Sequence, residues 1–295
     1  ANGGIVGLSV SSNGVLTLYD TKGKDPEPIP GGVNIYGKNL AGRMVPRWMG
    51  PSGIDTSFQP ALFGNSITMW LPGAGNTLSV AFGTTWVAKN SGTNSLQAHP
   101  AITSTNLLTT MRRATFSTGT TVTGASGIQS VVPIVTPGSS SGLGGFFYFA
   151  RVGVETYASS DVRLMNGLSA RNSTLSVEPS TIVNSIILGK DSTDTTWQII
   201  TMDGTTSTKL DTGYTIAAGQ VMDFYAFAKP NDSKITVRLV EQTVTGPIVV
   251  LDNVEITDTL PAGNSVLYAH HHIQSTTGLT AKSFALNRIY VETDI

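Results

Sequence analysis

The chain has 295 residues, a formal net charge of −1, only 13% charged residues, 32 glycines, 14 prolines and no cysteine. Near-neutral charge gives no electrostatic basis for binding nucleic acid or an anionic membrane, and the missing cysteines exclude disulfides, zinc–thiolate centres and thiol nucleophiles. The length suits one large β domain or two of ordinary size, and low charge with Ser and Thr at about a quarter of the residues favours strands over helices.

The first residues, Ala1-Asn2-Gly3-Gly4-Ile5, carry no basic stretch followed by an apolar run, so no secretory signal is expected, and nothing approaches a membrane span. An Ala start fits removal of an initiator Met in a cytoplasm, with release by lysis. Two alternating runs, 6–10 and 15–19, flank Ser11-Ser12-Asn13-Gly14, and Asn-Gly is a strong hairpin signal. From 20 to 64, Pro26, Pro28, Pro30, Pro46, Pro51 and Pro60 with many glycines predict an extended arm without long regular elements. The arm holds apolar groups that need a surface to cover, and Met44, Trp48, Met49 and Phe58 are the candidate partner-binding residues.

From residue 65 alternating runs recur about every ten residues, at 66–71, 77–82, 84–88, 116–122, 130–135 and 145–154, the last apolar on both faces and therefore central. Residues 105–114 read as a helical turn or a strand, and 177–184 as a short helical turn opening on Pro179. Strands follow at 186–188, 197–202, 208–210, 223–228, 234–241, 248–256, 265–273 and 280–291, separated by turns such as Asp203-Gly204. The expected fold is all-β: an antiparallel β-sandwich or jelly roll behind an N-terminal arm (1–64), its two portions (65–160 and 161–295) forming one domain or two.

Several segments resemble a recurrent family of bacteriophage structural proteins, usually described as tail-fibre or virion proteins. They are Arg163-Leu-Met-Asn-Gly-Leu-Ser-Ala170, Leu188-Gly-Lys-Asp-Ser-Thr-Asp-Thr-Thr-Trp197, Met202-Asp-Gly204, Lys209-Leu-Asp-Thr-Gly213 and Ile289-Tyr-Val-Glu-Thr-Asp294. Gly50-Pro-Ser-Gly-Ile-Asp-Thr-Ser-Phe-Gln-Pro60, with Trp70, Arg112-Arg113 and Gly144-Gly145-Phe146-Phe147, is similar to the N-terminal part of the same family. The resemblance spans roughly residues 50–295 and implies a particle component, assembled in the host cytoplasm, that is no enzyme and needs no cofactor. Its implied partners are other virion proteins of tail, portal or capsid, further copies of the chain, most simply as a trimer, and a host-surface glycan or protein. A capsid decoration, cement or head-fibre protein is the alternative, and a glycan depolymerase a more remote one.

The search for chemistry favours that reading. Asp191, Asp194, Asp203 and Asp211 all fall at expected turns, where Asp bonds nearby backbone, and their spacing matches no calcium loop. Gly142-Leu143-Gly144-Gly145 leads into a strand instead of opening a helix, so it is no phosphate loop, and no Gly-x-Ser-x-Gly elbow occurs. Trp48, Trp70, Trp86 and Trp197 could stack on sugars but suit core or interface better, and Arg112-Arg113 with Arg151 are too few for a nucleic-acid footprint. His270-His271-His272 sits in a predicted strand, with His270 and His272 on one side and His271 on the other. That pair is a candidate metal site, with a solvated or interfacial histidine ladder as the simpler expectation. His99, before Pro100, reads as an ordinary surface residue.

Overall fold

The computed structural model describes residues 8–10, 16–21, 25–27, 29–30, 32–49, 55–57, 65–73, 79–93, 96–138, 144–157, 161–277 and 280–294. It divides the chain into two compact units, Ala1–Gly64 and Asn65–Ile295.

In the first unit, β1 (Leu8–Val10) and β2 (Leu16–Leu18) pair antiparallel with Leu8 opposite Leu18; the Asn13-Gly14 signal between them lies outside the described residues. A second sheet joins β3 (Asn34–Leu40), β4 (Arg43–Met49) and β5 (Asp55–Ser57). A three-stranded sheet thus stands where the sequence predicts an extended arm without long regular elements. Ala41 and Gly42 both adopt positive φ, 56° and 81°, which a tight two-residue hairpin turn demands, and Asn39 Oδ1 accepts the Gly42 N–H at 2.7 Å. Pro46 is tolerated inside β4. Counted back from the Ala41-Gly42 turn, Gly37 and Pro46 form a non-hydrogen-bonded pair, so β3 loses no bond to the missing N–H, and the Gly37 carbonyl, facing away from β4, accepts from Thr21 N–H at 3.1 Å.

The second unit begins with β6 (Asn65–Leu71), β7 (Val80–Phe82), β8 (Trp86–Ala88), β9 (Leu96–Ala98), β10 (Ala114–Ser117), β11 (Ala125–Ser130) and the long β12 (Phe146–Thr156). There follow β13 (Val162–Ser169), β14 (Ser185–Lys190), β15 (Thr196–Met202), β16 (Ser207–Thr215), β17 (Val221–Ala228), β18 (Ile235–Thr243), β19 (Gly246–Ile256), β20 (Tyr268–Ser275) and β21 (Ser283–Asp294). Residues 105–114 form turns up to Ala114, where β10 begins, and Pro179–Thr181 is a single 3-10 turn with proline at its start.

These strands build two antiparallel sheets. A nine-stranded sheet runs β19-β18-β17-β12-β21-β10-β9, with β6 and β7 added beside β21, and a seven-stranded sheet runs β16-β15-β14-β13-β20-β11-β8. Residues 65–160 and 161–295 each contribute to both sheets. One core lies between them, in which Trp70, Phe116, Tyr148 and Phe224 meet Leu164, Leu188, Trp197 and Ile199. Strict alternation explains it: in β12, Phe146, Tyr148, Ala150, Val152 and Val154 point inward, while Phe147, Phe149 and Arg151 point out. The outward row continues across the sheet, where Phe149 stacks on Tyr225 at 4.8 Å between ring centroids and Arg151 makes a two-pronged pair with the buried Asp223 at 2.6 and 2.7 Å.

Candidate functional site

In the first unit, alternation along the β3–β4 hairpin separates two faces. Tyr36, Leu40, Val45 and Met49 are buried, whereas Ile35 (57% exposed), Met44 and Trp48 (40% exposed) occupy the opposite face, with Ile35 directly across from Trp48. Of the four candidate arm residues, two therefore share an open apolar face, Met49 lies on the buried one, and Phe58 falls outside the described residues.

In the sandwich the histidine strand β20 is the chemically richest element. As the period of two requires, His270 and His272 lie together, Nδ1 of the first 3.3 Å from Nε2 of the second, and His271 points the other way. All three have no exposed area. This corrects the expectation of a solvated ladder: His271 faces the core between the sheets, and His270 and His272 lie under the segment after β13. It folds over the outer face of the seven-stranded sheet, packing Leu175, Val177 and Ile182 on Met165, Ile187 and Ile200, while Asn172 accepts from Gln129 Nε2 at 2.9 Å. Burial holds His270 down to about 3 and His272 well below the usual imidazole range, with the charges of Arg171 and Lys89 acting in the same direction.

The donor set does not suit a divalent cation. His270 and His272 bond each other, two cationic side chains bear on them, and no group of three or more His, Asp or Glu able to hold a metal occurs among the described residues. What the pair does is pack: the His272 ring folds over Gly127 in β11, where an added Cβ would lie 2.2 Å from Nδ1 and 2.6 Å from the His271 carbonyl oxygen. Gly127→Ala should therefore lower stability by about 2 kcal/mol, the usual scale of overpacking, as read from the urea midpoint.

His271 belongs to a different structure, a hydrogen-bond chain through the core that ties the two sheets. Tyr148 O–H (β12) donates to Asn166 Oδ1 (β13) at 3.0 Å, Asn166 Nδ2 donates to His271 Nδ1 at 3.3 Å, and His271 Nε2–H donates to the Phe284 carbonyl (β21) at 3.4 Å. Because Asn166 gives an N–H, His271 Nδ1 must accept, which fixes the neutral imidazole with its proton on Nε2. Burial keeps it neutral, at about 3, and pushes the Tyr148 hydroxyl far up. The imidazole stacks on Phe284 at 4.1 Å and lies 5.0 Å from Phe116.

Asp191, Asp194 and Asp203 lie at turns, whereas Asp211, expected at one, lies within β16 at an irregularity in its pairing with β15. Asp203 Oδ1 accepts from Thr206 N–H at 2.7 Å, Asp211 Oδ1 from Gly213 N–H at 2.8 Å, and Asp194 Oδ2 from Asp191 N–H at 3.0 Å, with Lys209 pairing both Asp191 and Asp194. One member of this region carries no sequence signal: Lys190, fully buried, sits 5.7 Å from the Tyr157 ring and is brought down to about 8 by desolvation against the pull of Asp194, Glu178 and Asp191. Trp70 and Trp197 are core, Trp86 is partly buried against it, and Trp48 is exposed. Arg113 is buried and paired with Glu155. His99 is partly buried beside Ser79 and Gln97, and burial lowers its pKa.

The fold and these groups define an all-β antiparallel two-sheet sandwich joined to a small apolar-faced unit. No family model matches the chain, and no curated protein does either. Among solved structures it is similar to a protein of unknown function from Shewanella oneidensis MR-1, with 10% identity, 80% of this chain and 90% of that chain covered, and a TM-score of 0.51. The likeness shows a shared fold. A lectin, UEA-II, solved with galactose has 10% identity over 78% of this chain and 98% of its own at a TM-score of 0.46. A carbohydrate esterase from the Shiga toxin-encoding bacteriophage phi24B has 12% identity over 71% of this chain and 90% of its own at 0.39.

Proposed function

We propose that this chain is a structural protein of a bacteriophage particle, a tail-fibre or tail-associated adhesion protein. Its first 64 residues attach it to another virion component, and its sandwich is turned toward a glycan or protein of the host surface. The observation that carries this reading is the open face of the β3–β4 hairpin, where Ile35, Met44 and Trp48 stand together at 57%, 43% and 40% exposure. An apolar face of this kind calls for a partner that covers it. The sequence resemblance over residues 50–295 supplies the setting, and the engagement of Asp191, Asp194 and Asp203 in turns and ion pairs, with Asp211 hydrogen-bonded within β16, favours assembly and adhesion over turnover.

Particles assembled with an Ile35→Glu, Trp48→Glu double variant should carry less than about a tenth of the normal complement, the scale of losing two interface anchors. The purified variant should keep its thermal midpoint, since neither side chain is buried. Normal incorporation would remove the attachment role. Electron microscopy of labelled copies then decides between tail and capsid.

A further inference from the structure

On the outer face of the nine-stranded sheet two arginines stand directly across from each other, Arg151 in β12 and Arg288 in β21. Like charges placed opposite on neighbouring strands oppose the pairing, so the arrangement costs stability and calls for a use. A bulge creates it. After this pair the register shifts and Val152 faces Leu286, which leaves Asn287 as the extra residue, its Nδ2 donating to the Arg112 carbonyl at 2.5 Å. Bulges of this kind re-aim a side chain.

The charges on this face do not balance. Asp223, buried opposite Arg151 on β17, has its carboxylate taken up: Oδ1 accepts from Arg151 Nε at 2.6 Å, and Oδ2 from Arg151 Nη2 at 2.7 Å and Gln242 Nε2 at 2.8 Å. Arg288 is open to solvent and forms no ion pair among the described residues, its Nε donating only to Asn287 Oδ1 at 3.2 Å. Partial burial and then the charge of Arg151 lower its pKa, with Asp223 as the carboxylate that pulls the other way. Two guanidiniums against one carboxylate leave a positive charge at the surface. One residue pair along the same face, about 7 Å away, Phe149 stacks on Tyr225 and faces Tyr290, all three half-buried.

We propose that this face binds a carboxylated sugar of the host surface, its carboxylate on Arg288 and a sugar ring over Phe149, Tyr225 and Tyr290; the inference names the ligand of the adhesion reading and rests on it. A carboxylate brings the single negative charge that is missing and the two parallel acceptors that a guanidinium fork takes. The C–H face of a sugar ring suits the aromatic rings beside it. Half-buried rings form a floor, whereas a protein interface is built on anchors that project into pockets.

The test is a glycan array bearing uronic-acid and sialic-acid glycans, their carboxyl-reduced counterparts and phosphorylated glycans, probed with the labelled full chain. Binding should concentrate on carboxylated members and fall at least about tenfold on carboxyl reduction, the scale of a hydrogen bond to a charged group. Arg288→Gln should lose binding by the same factor while its thermal midpoint stays or rises, because the opposition to Arg151 is relieved. Lys234→Gln, in the same sheet, should leave binding unchanged. Absence of binding to every carboxylated member, equal binding after reduction, a preference for phosphorylated glycans, or binding indifferent to Arg288→Gln overturns the inference. Particle incorporation and adhesion to host cells are scored apart: a chain that ignores carboxylated glycans yet enters particles and adheres removes this site and leaves the reading of assembly and adhesion standing.

Discussion

Lowering the pH from 7 to 5 should reduce the stability of the sandwich by about 6 kcal/mol, because three buried histidines stay neutral in the fold and charge on unfolding. Burial depresses His270 and His271 to about 3 and His272 well below its ordinary value. A group whose pKa is depressed in the fold contributes stability that is complete above the unfolded pKa, near 6.5, and is lost as pH falls toward the folded value. Each histidine therefore contributes roughly 1.4 kcal/mol per pH unit below that point. The total approaches the whole stability of an ordinary domain. The carboxylates held low, such as Glu178, add their loss only nearer pH 4. Calorimetry at pH 5 in buffers of different ionisation enthalpy should count about three protons taken up on unfolding, one per buried imidazole. An uptake near zero, with a pH-independent urea midpoint, would show that the imidazoles are charged or solvated in the fold.

The second large effect is expected at Asn166. Leucine fills a similar volume but strands both neighbours: the Tyr148 hydroxyl loses its acceptor and His271 Nδ1 its donor, in a core that admits no water to either. Two orphaned buried groups cost about 1–3 kcal/mol each, so Asn166→Leu should destabilise by about 4 kcal/mol. The double variant Tyr148→Phe, Asn166→Leu removes one orphan and should be the more stable of the two, a reversal that simple cavity formation does not produce. Additive losses in the double-mutant cycle would mean that the chain of bonds is not a unit.

The hairpins from β14 to β19 are legible in the sequence because each has one face in the core and turn residues between strands; Asp203 sits where turn chemistry asks for it, whereas Asp211, read as a turn, lies inside β16. Two other strands hide. β11, Ala-Ser-Gly-Ile-Gln-Ser, is fully buried yet mostly polar, and β13 has apolar and polar groups buried on both faces. Neither alternates, because the segment carrying Leu175 and Ile182 covers an outer face that a two-sheet sandwich would leave to solvent. The same cover buries His270 and His272, which read as surface residues in the sequence although neither is exposed. In the first unit, proline count misleads: Pro46 sits inside a seven-residue strand because it falls at a non-hydrogen-bonded pair with Gly37, where the β3–β4 ladder asks it for no donor. The open face at Ile35 and Trp48 depends on which alternate residues turn outward, and that parity is visible only once the Ala41-Gly42 turn sets the register.

β21 has a consequence for how the protein is made. Its residues pair with β12 along most of their length, with β10 at one end and with β6 at the other, where Ile289 meets Trp70. Until residue 294 has left the ribosome, the nine-stranded sheet lacks the strand on which three others depend. The sandwich must therefore close after synthesis of this region, and a chain broken off before β21 would offer assembly partners an open, aggregating sheet instead of a finished surface.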